Sequence, residues 1–132
     1  MLPFQLTLRP GESTYRQIVY AATRAVLAGE LVAGSTFPSV REISSALKVN
    51  ANTAHRAVAE LIRDGILEVL PGIGTVVASK RETSALERGR LLSERVEQLV
   101  VEARRLDLDL DDVVNAVCAH WSALFEMDAK EE

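Results

Sequence analysis

Apolar residues recur at a period near 3.6 over Tyr15, Ile18, Val19, Ala22, Val26 and Leu27, the spacing that gives a helix one buried face. Ser13 and Thr14 stand at its start with hydroxyls suited to capping, and Gly29 stops it. A turn with Gly34 leads to Phe37-Pro38. Pro38 suits the first position of a second helix, where its missing N–H costs nothing. Val40, Ile43 and Leu47 turn inward there, and the pattern breaks near Lys48-Val49. A third helix then places Ala54, Ala57, Val58, Leu61 and Ile62 on one stripe and ends at Asp64-Gly65.

The period then changes. ILEVL and TVVAS are rich in β-branched residues and are joined by Pro71-Gly72-Ile73-Gly74, which predicts a hairpin with a glycine-containing loop. Three helices with a short turn between the second and third, followed by a hairpin, predict a winged helix-turn-helix, mainly α with a small β-hairpin wing. It is assigned to residues 1–79.

Residues 80–132 read as two further helices. In the first, Leu92, Val96, Leu99, Ala103 and Leu106 alternate at spacings of four and three. The second opens with Asp109 as N-cap and Asp112 three residues on, a capping-box arrangement, with Leu108 placed to staple against Val113. Its seam runs through Val113 or Val114, Val117, Trp121, Leu124 and Phe125. Such a hairpin carries more apolar surface than it can cover alone, which predicts a homodimer through Leu92, Val96, Leu99, Leu106, Val117, Trp121, Leu124 and Phe125. Packing onto the chain's own winged region is the competing arrangement.

Charge adds an asymmetry. The net charge of −4 argues against a nucleic-acid partner at first sight, yet residues 1–81 hold nine bases against six acids, and residues 82–132 hold six against thirteen. A mildly basic front and an acidic back predict two units with different partners. Of the 132 residues 48% are hydrophobic and 26% charged, the balance of a globular chain. No apolar run approaches the roughly 20 residues of a membrane span. The start MLPFQLTLRP lacks the pattern of a signal peptide, and one cysteine, Cys118, fits a reducing compartment. Together these predict a cytoplasmic protein.

The opening of the third helix carries the chemistry. In a helix-turn-helix that helix lies in the DNA major groove and reads base edges with its N-terminal residues. Asn50 is the natural N-cap. With the apolar stripe inward, Asn52 and Arg56 point outward, flanked by Thr53 and His55. Asn can bond bidentately to adenine, and Thr can touch a thymine methyl or a phosphate. Capping is the main task expected of Asn50, whereas the other four together point to DNA.

The runs Tyr15-Arg16-Gln17-Ile18, Phe37-Pro38-Ser39-Val40-Arg41-Glu42-Ile43, Val49-Asn50-Ala51-Asn52-Thr53, Asp64-Gly65-Ile66 and Gly72-Ile73-Gly74-Thr75 resemble the GntR family of bacterial transcription regulators across residues 13–79. The recognition helix looks most like that of the YtrA subfamily, whose two-helix appendage the tail resembles in size and layout. The resemblance implies that Arg41 contacts DNA, that Ser39 contacts a backbone phosphate, and that Asn50, Asn52, Thr53 and His55 occupy recognition-helix contact positions. It implies that Gly72 approaches the minor groove at the wing tip. Two departures stand out. Ala51 replaces an arginine common in the family, and Pro71 and Ile73 leave the wing tip without a base. Both predict weaker direct readout of bases and put the relatives' operator sequence in doubt for this chain.

The resemblance further implies a dimeric repressor reading an inverted repeat, with control of a transporter operon. The other function classes differ in what they require. An enzyme needs a nucleophile–base pair, a Schiff-base lysine or a metal set, and the sequence offers none. No cofactor is expected. Cys118 is expected to be a small buried hydrophobe, His120 a surface or core residue and Trp121 core. A winged helix serving only protein–protein contact would show an apolar or acidic outer face on the third helix, and the acidic overall charge keeps that alternative open. A small-molecule effector, if one acts through the tail, is not identified by any residue pattern.

Overall fold

The computed structural model describes residues 2–79 and 83–125. Five helical stretches and one antiparallel hairpin fall into two compact units, Met1–Glu82 and Thr83–Glu132.

In the first unit α1 (Thr14–Leu27), α2 (Val40–Leu47) and α3 (Ala51–Arg63) precede the strands β1 (Leu67–Leu70) and β2 (Gly74–Val77). α3 packs against α1, α2 and β1. Ile18, Ala22, Ile43, Ala54, Ala57 and Leu61 are fully enclosed between them, and Leu67 and Val77 close the core from the hairpin. The strands pair Leu67 with Val77 and Leu70 with Gly74. Each of the three helices ends in the same way. A residue at or just after the C-cap takes a left-handed conformation, and the next N–H bonds back to the carbonyl five residues before it, as from Ile66 to Leu61. In α1 and α3 that residue is a glycine; in α2 it is Lys48, with φ 55°.

Several details differ from the sequence reading. Pro38 is buried before the α2 N-cap, Ser39, rather than at the first helical position, because Ser39 caps the helix through its own side chain. Ser13 makes no side-chain cap bond. Leu27 and Ile62 lie at the exposed margins of their stripes, because the faces of α1 and α3 centred on Ala22, Ala25, Ala54 and Ala57 are the ones buried in the core. A third extended segment also joins the sheet. Phe37 donates to the Thr75 carbonyl at 2.8 Å and Gly34 to that of Val77 at 2.8 Å, with Thr36 bridged to Val76.

The segment before α1 is fastened by one buried polar side chain. Gln17 Oε1 accepts from the Arg9 backbone N–H at 2.8 Å, and Nε2 donates to the carbonyls of Arg9 (3.1 Å) and Glu12 (3.3 Å). Farther out, Phe4 is buried and stacks on Phe37, with ring centroids 5.7 Å apart. A glutamine on the inner face of α1 thus substitutes for a strand partner.

In the second unit α4 (Ala85–Arg90), a π-helical segment (Leu91–Arg95) and α5 (Val96–Arg105) run on as one helix, and α6 (Leu110–Phe125) follows. Asp107, at φ 60°, reverses the chain between them. The Asp109–Asp112 capping box forms reciprocally, each backbone N–H bonded to the other carboxylate at 2.9 Å. Arg105 pairs with Glu102 and holds that carboxyl below its ordinary pKa, but both side chains are exposed and the pair adds little stability. Ala103 is buried, whereas Leu92, Val96, Leu99, Leu106, Val117 and Trp121 are exposed and Leu124 and Phe125 are half-buried. Cys118 is exposed rather than buried, and Trp121 is not core: it is 66% exposed and meets Phe125 edge to face. Both expectations rested on the apolar pattern of α6, which marks an apolar face without showing what covers it, and within one copy that face is open.

Replacing Gln17 with Leu removes the three bonds that hold the Arg9–Glu12 backbone, and stability should fall by about 1–3 kcal/mol in urea denaturation. An unchanged midpoint would show that water satisfies those groups equally well. Lys48→Gly relieves the left-handed strain at the end of α2 and should raise stability by about 0.5–1 kcal/mol, because only glycine enters that region without cost.

Candidate nucleic-acid interface

α3 divides cleanly into two faces. Ala54, Ala57 and Leu61 have no exposed surface, while Ala51, Asn52, His55 and Arg56 are exposed and Thr53 is half-buried. The two alanines set this division, since their short side chains let α3 approach its neighbours closely. Asn50 sits in an extended conformation at the N-cap, and its Oδ1 accepts from the Asn52 N–H at 2.7 Å. That bond uses an acceptor and leaves both amide protons of Asn50 to donate.

The turn into α3 is fixed from α2. The Ser44 hydroxyl donates to the Val49 carbonyl at 2.6 Å, and the Val49 N–H bonds to the Ser44 carbonyl at 3.1 Å. These bonds set the angle at which α3 leaves the turn. At the other end of α2 the Ser39 side chain accepts from the Glu42 N–H at 3.1 Å, and Glu42 accepts from the Ser39 N–H at 3.3 Å. This capping box still leaves the Ser39 hydroxyl proton free to meet an acceptor.

Arg41 is the second residue of this helix and is exposed. Glu42 is engaged by the box and Glu60 by Arg63 at 2.6 Å, so two of the acids that could neutralise Arg41 are committed elsewhere. Among the described residues Arg41 forms no ion pair.

At the hairpin tip Gly72 has φ 79°, and a Cβ there would meet nothing within 4 Å. Glycine is therefore required by backbone conformation, not by crowding inside the protein. Ile73 and Val69 are exposed beside it, an apolar wing tip.

One contact lay outside the sequence reading. The Arg56 guanidinium carbon lies 3.8 Å from the centroid of the Tyr15 ring, and that of Arg16 lies 5.6 Å from it. Periodicity places Tyr15 on the inner stripe of α1 and Arg56 on the outer face of α3. Only the packing of α1 on α3 brings them together. A tyrosine at the margin of an apolar stripe was the one available signal.

Among the described residues no group of three His, Cys, Asp or Glu side chains could hold a metal ion. No helix among them is long and apolar enough to cross a membrane.

Residues 14–77 match the model of the bacterial regulatory proteins of the gntR family. Over 108 residues the chain is 32% identical to the HTH-type transcriptional repressor YtrA of Bacillus subtilis (strain 168), covering 81% of this chain and 83% of that protein. It belongs to the GntR family, in the YtrA subfamily. Among solved structures, a transcriptional antiterminator from Listeria monocytogenes EGD-e superposes with TM-score 0.80 at 22% identity, over 91% of this chain and 92% of that one, and shares the fold. YtrA from Sulfolobus acidocaldarius, a GntR-family transcription factor, aligns with TM-score 0.51 at 26% identity, over 91% and 97% of the two chains. Membership makes this GntR protein a DNA-binding transcriptional regulator, and its relatives are named as regulators rather than enzymes.

The two tasks of Asn50 separate by substitution. Asn50→Ala should cost about 1 kcal/mol of stability through the lost cap, whereas Asn50→Asp keeps the cap. If the Asn50 amide also faces DNA, Asn50→Asp should weaken duplex binding while the melting midpoint holds. Equal binding by Asn50→Asp and wild type would confine Asn50 to capping.

Proposed function

We propose that this GntR protein is a transcriptional repressor that binds an inverted-repeat operator as a homodimer. The observation that carries the reading is the outer face of α3, where Asn52, Thr53, His55 and Arg56 follow a capped, solvent-facing N-terminus. Asn52 reads a base edge, with adenine its best bidentate partner, and Thr53 meets a thymine methyl or a phosphate. Ser39, Arg41 and the amide of Asn50 hold the backbone and fix register, and Gly72 brings the wing main chain to the minor groove. With Ala51 in place of an arginine, and Ile73 and Pro71 at the wing tip, fewer charged contacts reach the bases, so shape contributes more to specificity.

One recognition helix touches too few base pairs for tight specific binding, and a two-fold dimer doubles the contacts. Residues 80–132 supply the dimer interface in this reading. Leu92, Val96, Leu99, Leu106, Val117 and Trp121 expose apolar surface that a second copy would bury, with Leu124 and Phe125 at its edge. Half-sites about one helical turn apart follow from that symmetry. Occupying promoter DNA would then exclude polymerase, and the subfamily suggests a transporter operon as target. The reading places the protein in the cytoplasm with its DNA.

Selection of bound duplexes from a random library at physiological salt should enrich an inverted repeat. No enrichment, with binding that disappears as salt rises, would leave phosphate attraction alone and return the wing to a protein-contact role. On the selected operator Arg41→Ala and Asn52→Ala should each weaken binding by about 1–3 kcal/mol without changing the melting midpoint. Truncation after Ser79 should give a monomer in sedimentation, and a truncated chain that remains dimeric would remove the tail from the interface.

A further inference from the structure

We infer that Arg16 and Arg56, gathered on the ring of Tyr15, form a second DNA contact, a clamp for backbone phosphate outside the base-reading end of α3. This rests on the DNA-binding reading above and extends it to α1.

Two guanidinium groups share one aromatic ring, at 3.8 Å and 5.6 Å from its centroid. Two positive charges beside one ring repel each other to a degree, so the arrangement gains from whatever offsets that repulsion. The ring supplies part of that through its negative face. No carboxylate supplies the rest among the described residues. Glu12, the acid nearest in sequence before α1, pairs with Arg9 at 2.8 Å, and Glu60, one turn after Arg56 on α3, pairs with Arg63. Both arginines are exposed, so water screens the remainder and an anion from outside can take its place.

The geometry also says which anion. An arginine stacked on a ring uses its flat face and keeps its N–H edge free, and that edge matches phosphate oxygens bidentately. Arg56 lies one helical turn after Asn52, so a phosphate at its edge belongs to the strand flanking the bases that Asn52 meets. Tyr15 is partly buried and packed on the core, so the ring is a fixed platform. It is a positioning residue: it orders Arg56 before DNA arrives and so reduces the cost of fixing a long side chain on binding.

The test needs no operator. Binding of an arbitrary duplex, measured by anisotropy between about 50 and 200 mM salt, reports the number of phosphates neutralised, because the salt slope changes by about 0.9 for each contact. Arg56→Ala and Arg16→Ala should each lower the slope by about that amount. Tyr15→Phe, which keeps the ring, should bind as wild type. Tyr15→Leu should lower the slope like Arg56→Ala, and adding it to Arg56→Ala should lower it little further. Thermal melts separate this from simple loss of fold; if Tyr15→Leu does not fold, the two arginine variants and Tyr15→Phe still decide. Slopes unchanged in both arginine variants would overturn the clamp. A slope that falls in the arginine variants but not in a folded Tyr15→Leu would overturn the positioning role of the ring. Wild type that binds no duplex even at the low end of salt would overturn the DNA-binding reading itself, a result distinct from either.

Discussion

Ala54 and Ala57 are the constraint on which the winged unit depends. α3 must pack against both α1 and α2 while showing its opposite face to a partner, and a helix can do both only if its inner face is thin. Two alanines with no exposed surface give that thinness, and Leu61, also fully enclosed, adds bulk to the same core. A larger side chain at either alanine would push α3 off its neighbours, and interiors packed at crystal-like density do not absorb such a change locally. The same shift would part Arg56 from Tyr15 and change the angle of Asn52.

Around that packing, short-range polar bonds set direction. The Asn50 cap, the Ser44–Val49 bonds and the Ser39–Glu42 box each satisfy backbone groups that helix ends leave open, and each does so at a place where the chain must point in one direction. The Asn50 cap and the Ser39–Glu42 box also leave donors for a second acceptor, whereas the Ser44 proton is used by the Val49 carbonyl. Capping and the proposed DNA contact are therefore compatible in Ser39 and Asn50, because the cap uses the oxygen and leaves the proton.

The second unit works on a different principle. Its local signals are strong, as the Asp109–Asp112 box and the reversal at Asp107 show, yet its apolar side chains are left largely in water within one copy. A helix pair of this kind takes most of its stability from what it packs against. The exposed tryptophan and leucines form an apolar face left open within one copy, which the proposed homodimer would cover. Under the proposed function, the acidic balance of that half would keep it off DNA and leave the basic half to make the contact.

The sequence alone determined the element order, the inner faces of α1, α2 and α3, the hairpin, the Asn50 cap and the Asp109 capping box. All of these are properties of period and of neighbours one turn apart. It also marked the outward polar set on α3, because one apolar stripe fixes what lies opposite it. Local pattern misplaced Pro38, Leu27 and Ile62, which sit at element margins where packing decides burial. Cys118 and Trp121 were misread because helical spacing shows that a face is apolar and not whether anything covers it. Only the tertiary structure joined Tyr15 to Arg56, 41 positions apart in the chain, fastened the first segment through Gln17, and paired residues 34–37 with β2. Those contacts depend on how close α1 comes to α3 and how the chain returns to the sheet. No spacing within a single element encodes such distances.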